Sequence, residues 1–166
     1  MASALASYLP PFEGWLPQWM LFTSVISIAN SIQAYKTLHF TARVYNPNAD
    51  NTRPPSNIAS YSSSTPKPSK PPANEIPSQV TPLSSRTFGT WTLLASIIRL
   101  YGAYYINEKP VYELAMWAYA VAWVHFVSEW AVFGTTRWGV PLAGPVVIST
   151  GTLVWMSTAK EFYLAQ

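Results

Sequence analysis

Residues 14–35 and 138–159 contain no Asp, Glu, Lys or Arg. Two further stretches, roughly 87–106 and 111–133, are nearly as poor in charge and are rich in apolar and aromatic side chains. A helix rises about 1.5 Å per residue, so about 20 apolar residues cross the ~30 Å hydrocarbon core of a bilayer. Four such runs predict an all-α fold: a polytopic membrane protein with four transmembrane helices in a small bundle. Composition points the same way. Charged residues make up 10% of the chain, against about 25% for a soluble domain. Aromatic residues make up 15%, with 8 Trp and 10 Tyr. Such a chain is short of the charge needed to cover a soluble surface.

The expected organisation follows from breaks in this pattern. Residues 1–17 form an N-terminal segment in which Pro10, Pro11 and Pro17 discourage a continuous helix. The first helix is expected over 18–40, with Pro17 in its first turn and Trp19 at an interface. Residues 41–86 read as a Pro/Ser-rich disordered loop. Within it, residues 46–85 hold nine of the 15 prolines and the run Ser62-Ser63-Ser64, too little apolar surface to offset the entropy of ordering. Further helices are expected over 87–106, 111–133 and 141–157, followed by a tail at 158–166. Asn107-Glu108-Lys109-Pro110 is a short turn, which makes its flanking helices antiparallel neighbours. Basic residues are concentrated in the loop, so the positive-inside rule places it in the cytosol and both termini across the membrane.

Three polar groups inside these apolar runs stand out. Arg99 is a deep cation, costly unless paired or snorkelling. His125 and Glu129 are four residues apart and share a helix face. Counted from the 107–110 turn, Arg99 is level with a residue near 118. Reaching Glu113 or Glu129 would require about a further helical turn of side-chain length and tilt. Such groups either bind a substrate, metal or protons, or form a network that fixes helix packing. Small residues permit close helix contact: Gly89, Ala95, Ser96 and Gly102 on the second helix, and Ala118 and Ala122 on the third.

Several chemistries are excluded. There is no Cys, hence no disulfide or thiolate site. His39 and His125 are the only histidines, too few for a multi-histidine iron site. The sequence lacks HExxH, GxSxG, GxGxxG and a Walker A lysine loop. No cofactor is expected.

The stretches LPQWMLF (16–22), NSIQAY (30–35), SSRTFGTWT (84–92), IIRLYGAYYINE (97–108), HFVSEW (125–130) and GPVVISTGTLVWM (144–156) are more specific than a generic membrane pattern. On these the chain resembles the ergosterol biosynthetic protein 28 family, with residues 46–85 resembling a lineage-specific insertion. The resemblance implies a multi-pass protein of the endoplasmic reticulum membrane that is not an enzyme. It implies a scaffold that tethers the sterol C-4 methyl oxidase, the sterol C-3 dehydrogenase/decarboxylase and the 3-keto sterol reductase, with a link to the sterol C-24 methyltransferase. Residues expected to serve packing or partner docking are Arg86, Thr87, Phe88, Arg99, Asn107, Glu108, His125 and Glu129. Two other readings compete: a sterol- or lipid-modifying membrane enzyme using His125 and Glu129, and a sterol or lipid transporter.

Overall fold

Proline and hydroxyl side chains mark where the helices begin. In the computed structural model, which describes residues 8–45 and 80–166, helix α1 spans Leu16–Lys36 with Pro17 in its first turn. Proline is well placed there, because the first N–H groups of a helix have no intrahelical acceptor. A short helix α2 follows at His39–Val44. Helix α3, Pro82–Tyr104, starts from a reciprocal cap. The Ser84 N–H donates to Thr81 Oγ1 at 3.1 Å, and the Thr81 N–H donates to Ser84 Oγ at 2.8 Å, satisfying two N-terminal donors at once. Helix α4 spans Lys109–Ala131 and α5 Val140–Thr158, with a short α6 at Lys160–Leu164. Helix α3 therefore begins before residue 87, within the segment read as loop. Residues 46–79, the bulk of that segment, lie outside the described residues, as do residues 1–7.

The long helices run up and down. Leu16 and Met20 near the start of α1 pack with Ala103 and Ile106 at the end of α3, and with Tyr112, Ala115 and Met156. At the other end, Val44, Phe126 and Leu142 form a second cluster with Phe88 and Trp91 against it. Helix α6 closes the first end. Tyr163 is 2% exposed, and its hydroxyl accepts from the Leu16 N–H at 3.2 Å. Tyr112 Oη donates to the Met156 carbonyl at 2.5 Å, fixing α4 to the last turns of α5.

Helices α1 and α3 approach closely because small residues face each other. Ser31 Oγ donates to the Gly89 carbonyl at 2.7 Å, and Ser85 Oγ to the Ala34 carbonyl at 2.8 Å. A Cβ on Gly89 would stand 3.2 Å from the Ala34 Cβ, and one on Gly102 would stand 2.8 Å from the Ala115 Cβ. These side-chain-to-backbone bonds form only where helices nearly touch. Small residues make that possible.

The described residues are helical, without a strand, but the four-crossing expectation is corrected. Among them only α5, Val140–Thr158, is long and apolar enough to span a bilayer. Helix α3 carries Arg86 and Arg99, and α4 carries Lys109, Glu113, His125 and Glu129. Helix α1 carries Gln18, Asn30 and Gln33. The Trp and Tyr side chains that enrich these helices add little hydropathy, because each bears a polar atom. One candidate span is inconsistent with the expected multi-pass localisation, and the cytosolic placement of the loop, built on four crossings, falls with it.

Gly102→Ala is expected to lower stability by about 1–3 kcal/mol, because the Ala115 Cβ it meets is fixed to a helix backbone. Gly151→Ala, whose new Cβ meets nothing within 4 Å, should be neutral or stabilising by up to about 1 kcal/mol. Thermal melts of the two variants in one mild detergent check this opposite pair of signs.

Candidate functional site

The polar side chains singled out in the sequence fall into three places. Arg99 lies at the centre of the bundle. Its Nη1 donates to Ser27 Oγ at 3.2 Å and its Nη2 to the Ala118 carbonyl at 3.4 Å. The guanidinium carbon sits 4.3 Å from the centroid of the Tyr119 ring, a cation–π distance. Tyr119 is fully buried and shares a 2.7 Å hydrogen bond with Thr23 Oγ1. One cation thus ties α3 to α1 and α4. It reaches the depth of residue 118, as counted from the turn, and pairs with neither Glu113 nor Glu129. Lys160 holds Glu113 at 3.0 Å.

A second group links the end of α2 to the far end of α4. Tyr45 Oη and His125 Nε2 are 2.6 Å apart. Glu129 Oε1 lies 4.0 Å from His125 Nδ1, and Thr135 Oγ1 donates to the Glu129 carboxylate. Burial pushes the Tyr45 phenol above its ordinary pKa, and the charge of Glu129 adds to the rise. The phenol therefore keeps its proton and stays hydrogen-bonded to Nε2. Nδ1 faces the carboxylate. Aromatic rings pack around this chain: Trp91 lies 5.3 Å from His125 and Phe88 5.8 Å from Tyr45, centroid to centroid.

Asn107 and Glu108 occupy the turn between α3 and α4, far along the helices from the His125 group. Glu108 is exposed, and its side chain does not cap α4. Arg86 and Thr87 are exposed on the first turns of α3. The structure therefore brings Thr87, Phe88, His125 and Glu129 around one cavity of about 450 Å³, places Arg99 in another, and leaves Arg86, Asn107 and Glu108 apart.

Sequence reasoning missed Tyr45, Tyr119, Ser27 and Thr23. Tyr45 precedes the proline-rich stretch and had been assigned to the loop. The other three carry no spacing signal, because hydroxyl partners of a buried cation are chosen by helix packing. Among the described residues, no three His, Asp or Glu side chains are gathered to hold a metal.

The outer surface is as informative as the interior. Leu114, Trp117, Val121 and Val124 are exposed along one face of α4, and Leu94, Ile97, Tyr101 and Tyr105 along α3 and just beyond it. Ser24, Ser96, Thr41 and Thr152 are buried. These hydroxyls point inward, where hydrogen bonds satisfy them, while many large apolar side chains also point outward. A contiguous exposed apolar surface marks an interaction face.

A family profile described as Erg28 like protein matches residues 16–154. The chain is 44% identical to ergosterol biosynthetic protein 28 of Candida albicans, over 99% of both chains. It is 39% identical to ergosterol biosynthetic protein 28 of Saccharomyces cerevisiae, over 91% of this chain and 84% of that one. A human homolog is 26% identical over 91% of this chain and 89% of its own. No solved structure matches.

Tyr45→Phe should cost about 1 kcal/mol. It removes the hydrogen bond to His125 Nε2, but the His125 side chain is 34% exposed and water replaces part of the loss. Glu113→Gln, at a pair exposed by more than a third on both sides, should cost less than about 1 kcal/mol. Denaturant titration of the two variants against the parent measures both.

Proposed function

The chain belongs to the Erg28-like family, and on that premise we propose how it acts. It is a non-catalytic scaffold protein of ergosterol biosynthesis. The enzymes it holds together are the sterol C-4 methyl oxidase, the sterol C-3 dehydrogenase/decarboxylase and the 3-keto sterol reductase, with the sterol C-24 methyltransferase as a further contact. The family match across residues 16–154 carries this reading.

The outward apolar faces of α3 and α4 support it physically. Each presents large side chains that no described residue covers, and partner proteins with matching faces would bury them. Consecutive enzymes that pass on a poorly soluble intermediate gain from being held at high effective concentration. The sequence-selected residues divide by exposure. Arg86, Thr87 and Glu108 are exposed and dock partners. Phe88, Arg99, His125 and Glu129 pack the bundle, and Asn107 shapes the turn that presents Glu108.

Affinity purification of the full chain from mild-detergent extracts tests this. The three C-4 enzymes should accompany it in near-stoichiometric amounts. Recovery of the chain alone, while the enzymes remain bound to one another, would sink the tether. Trp117→Gln and Val121→Gln on the exposed face of α4 should reduce recovery of at least one enzyme severalfold without changing the yield of the chain itself.

A further inference from the structure

Arg99 faces a partly open cavity of about 370 Å³ lined by residues of α1 to α5, within the ~300–1,000 Å³ range of small-molecule sites. Ile26, Phe40, Trp91, Phe126 and Ile148 give it largely apolar walls. Among the described residues, its lining includes Arg99 and Arg43 but no Asp or Glu. We propose that this cavity binds an amphiphile with an apolar body and a single carboxylate head, the head taken by Arg99. The proposal goes beyond scaffolding and does not rest on it.

Three observations carry it. First, the guanidinium has no anionic partner among the described residues. Glu113 is engaged by Lys160, and Glu129 by His125 and Thr135. Arg99 is left with one hydroxyl, one carbonyl at 3.4 Å and a ring face. A buried charge held only by neutral acceptors lacks the compensation that an ion pair supplies. Second, buried polar atoms at the cavity are unpartnered. Arg99 Nε has no acceptor, and neither does the hydroxyl of Thr92, a residue 9% exposed and seven positions earlier on α3. Seven residues are about two helical turns, so both side chains lie on one face of the helix. Third, Arg43 lines the same cavity and is exposed, so the second charge at the site also attracts anions.

A carboxylate fits this donor set. A guanidinium is a planar donor group of the kind that carboxylates accept in bidentate fashion. A phosphate-headed lipid shares the anionic chemistry, and the test must separate the two sources. An apolar body accounts for the aromatic and aliphatic walls, which would gain nothing from a small hydrophilic anion.

The experiment uses the full chain in a mild non-ionic detergent and a photoreactive long-chain fatty acid. Cross-linked positions are mapped by mass spectrometry, with oleate, oleyl alcohol and phosphatidic acid as competitors. The expected result is labelling of cavity-lining residues, with oleate displacing the probe at least about tenfold more effectively than oleyl alcohol. Arg99→Gln should abolish that preference and Arg99→Lys should retain part of it. Equal competition by acid and alcohol in the parent protein overturns the proposal without any variant, as does labelling confined to the outer surface. Phosphatidic acid displacing the probe better than oleate overturns the carboxylate assignment and gives the site to a phospholipid head.

Discussion

Helices α1 and α3 touch at backbone distance, and the remainder of the bundle is arranged around that contact. Ser31 and Ser85 each donate to a carbonyl of the opposing helix, at positions where Gly89 and Ala34 present almost no side-chain bulk. A hydroxyl bonded in this way satisfies a buried polar group and adds an acceptor bond to a carbonyl already used within its helix. Larger side chains at the interface would separate the helices by ångströms and break both bonds together. The closeness of α1 and α3 also sets where α4 lies, because Gly102 opposes Ala115 and Met20 at the same end.

Close helices leave polar groups inside and apolar groups outside. Buried Ser and Thr line the contacts, while Trp117, Phe133 and Val140 are largely exposed. Alongside the apolar core, this leaves a large exposed apolar surface. It suits a protein whose work is to adhere to other apolar surfaces, and a scaffold of sterol biosynthesis needs such faces more than it needs a reactive centre. The Tyr45–His125–Glu129–Thr135 chain fits the same economy. Each side chain is engaged by the next, so the group joins α2 to α4. Arg99 is the exception, a cation drawn into the bundle without an anion among the described residues to meet it.

Much of the helical architecture was legible because its signals are local. Pro17 marked the first turn of α1, and the 107–110 turn implied the antiparallel α3–α4 pair. The depth of Arg99 opposite residue 118 followed from counting along two helices joined by a short turn, and the bond to the Ala118 carbonyl realises it. The start of α3 was not foreseen. Its capping pair, Thr81 and Ser84, sits in a sequence whose Pro and Ser content resembles the preceding stretch. The crossing count was overread for a related reason. Low charge and many aromatics were taken as sufficient, whereas Arg86, Arg99, Glu113, His125 and Glu129 lower the hydropathy of α3 and α4 along their length.

The sequence by itself determined the helical class, the family and the inventory of polar groups, since helix propensity, proline placement and motif identity are properties of neighbours along the chain. Only the tertiary structure decided who partners whom. Tyr45 meets His125 across 80 positions, and Arg99 meets Ser27 across 72. Such pairings depend on helix rotation and separation, which are set by the packing of small residues against small residues. That packing sums many weak contacts, and no single position in the sequence records it.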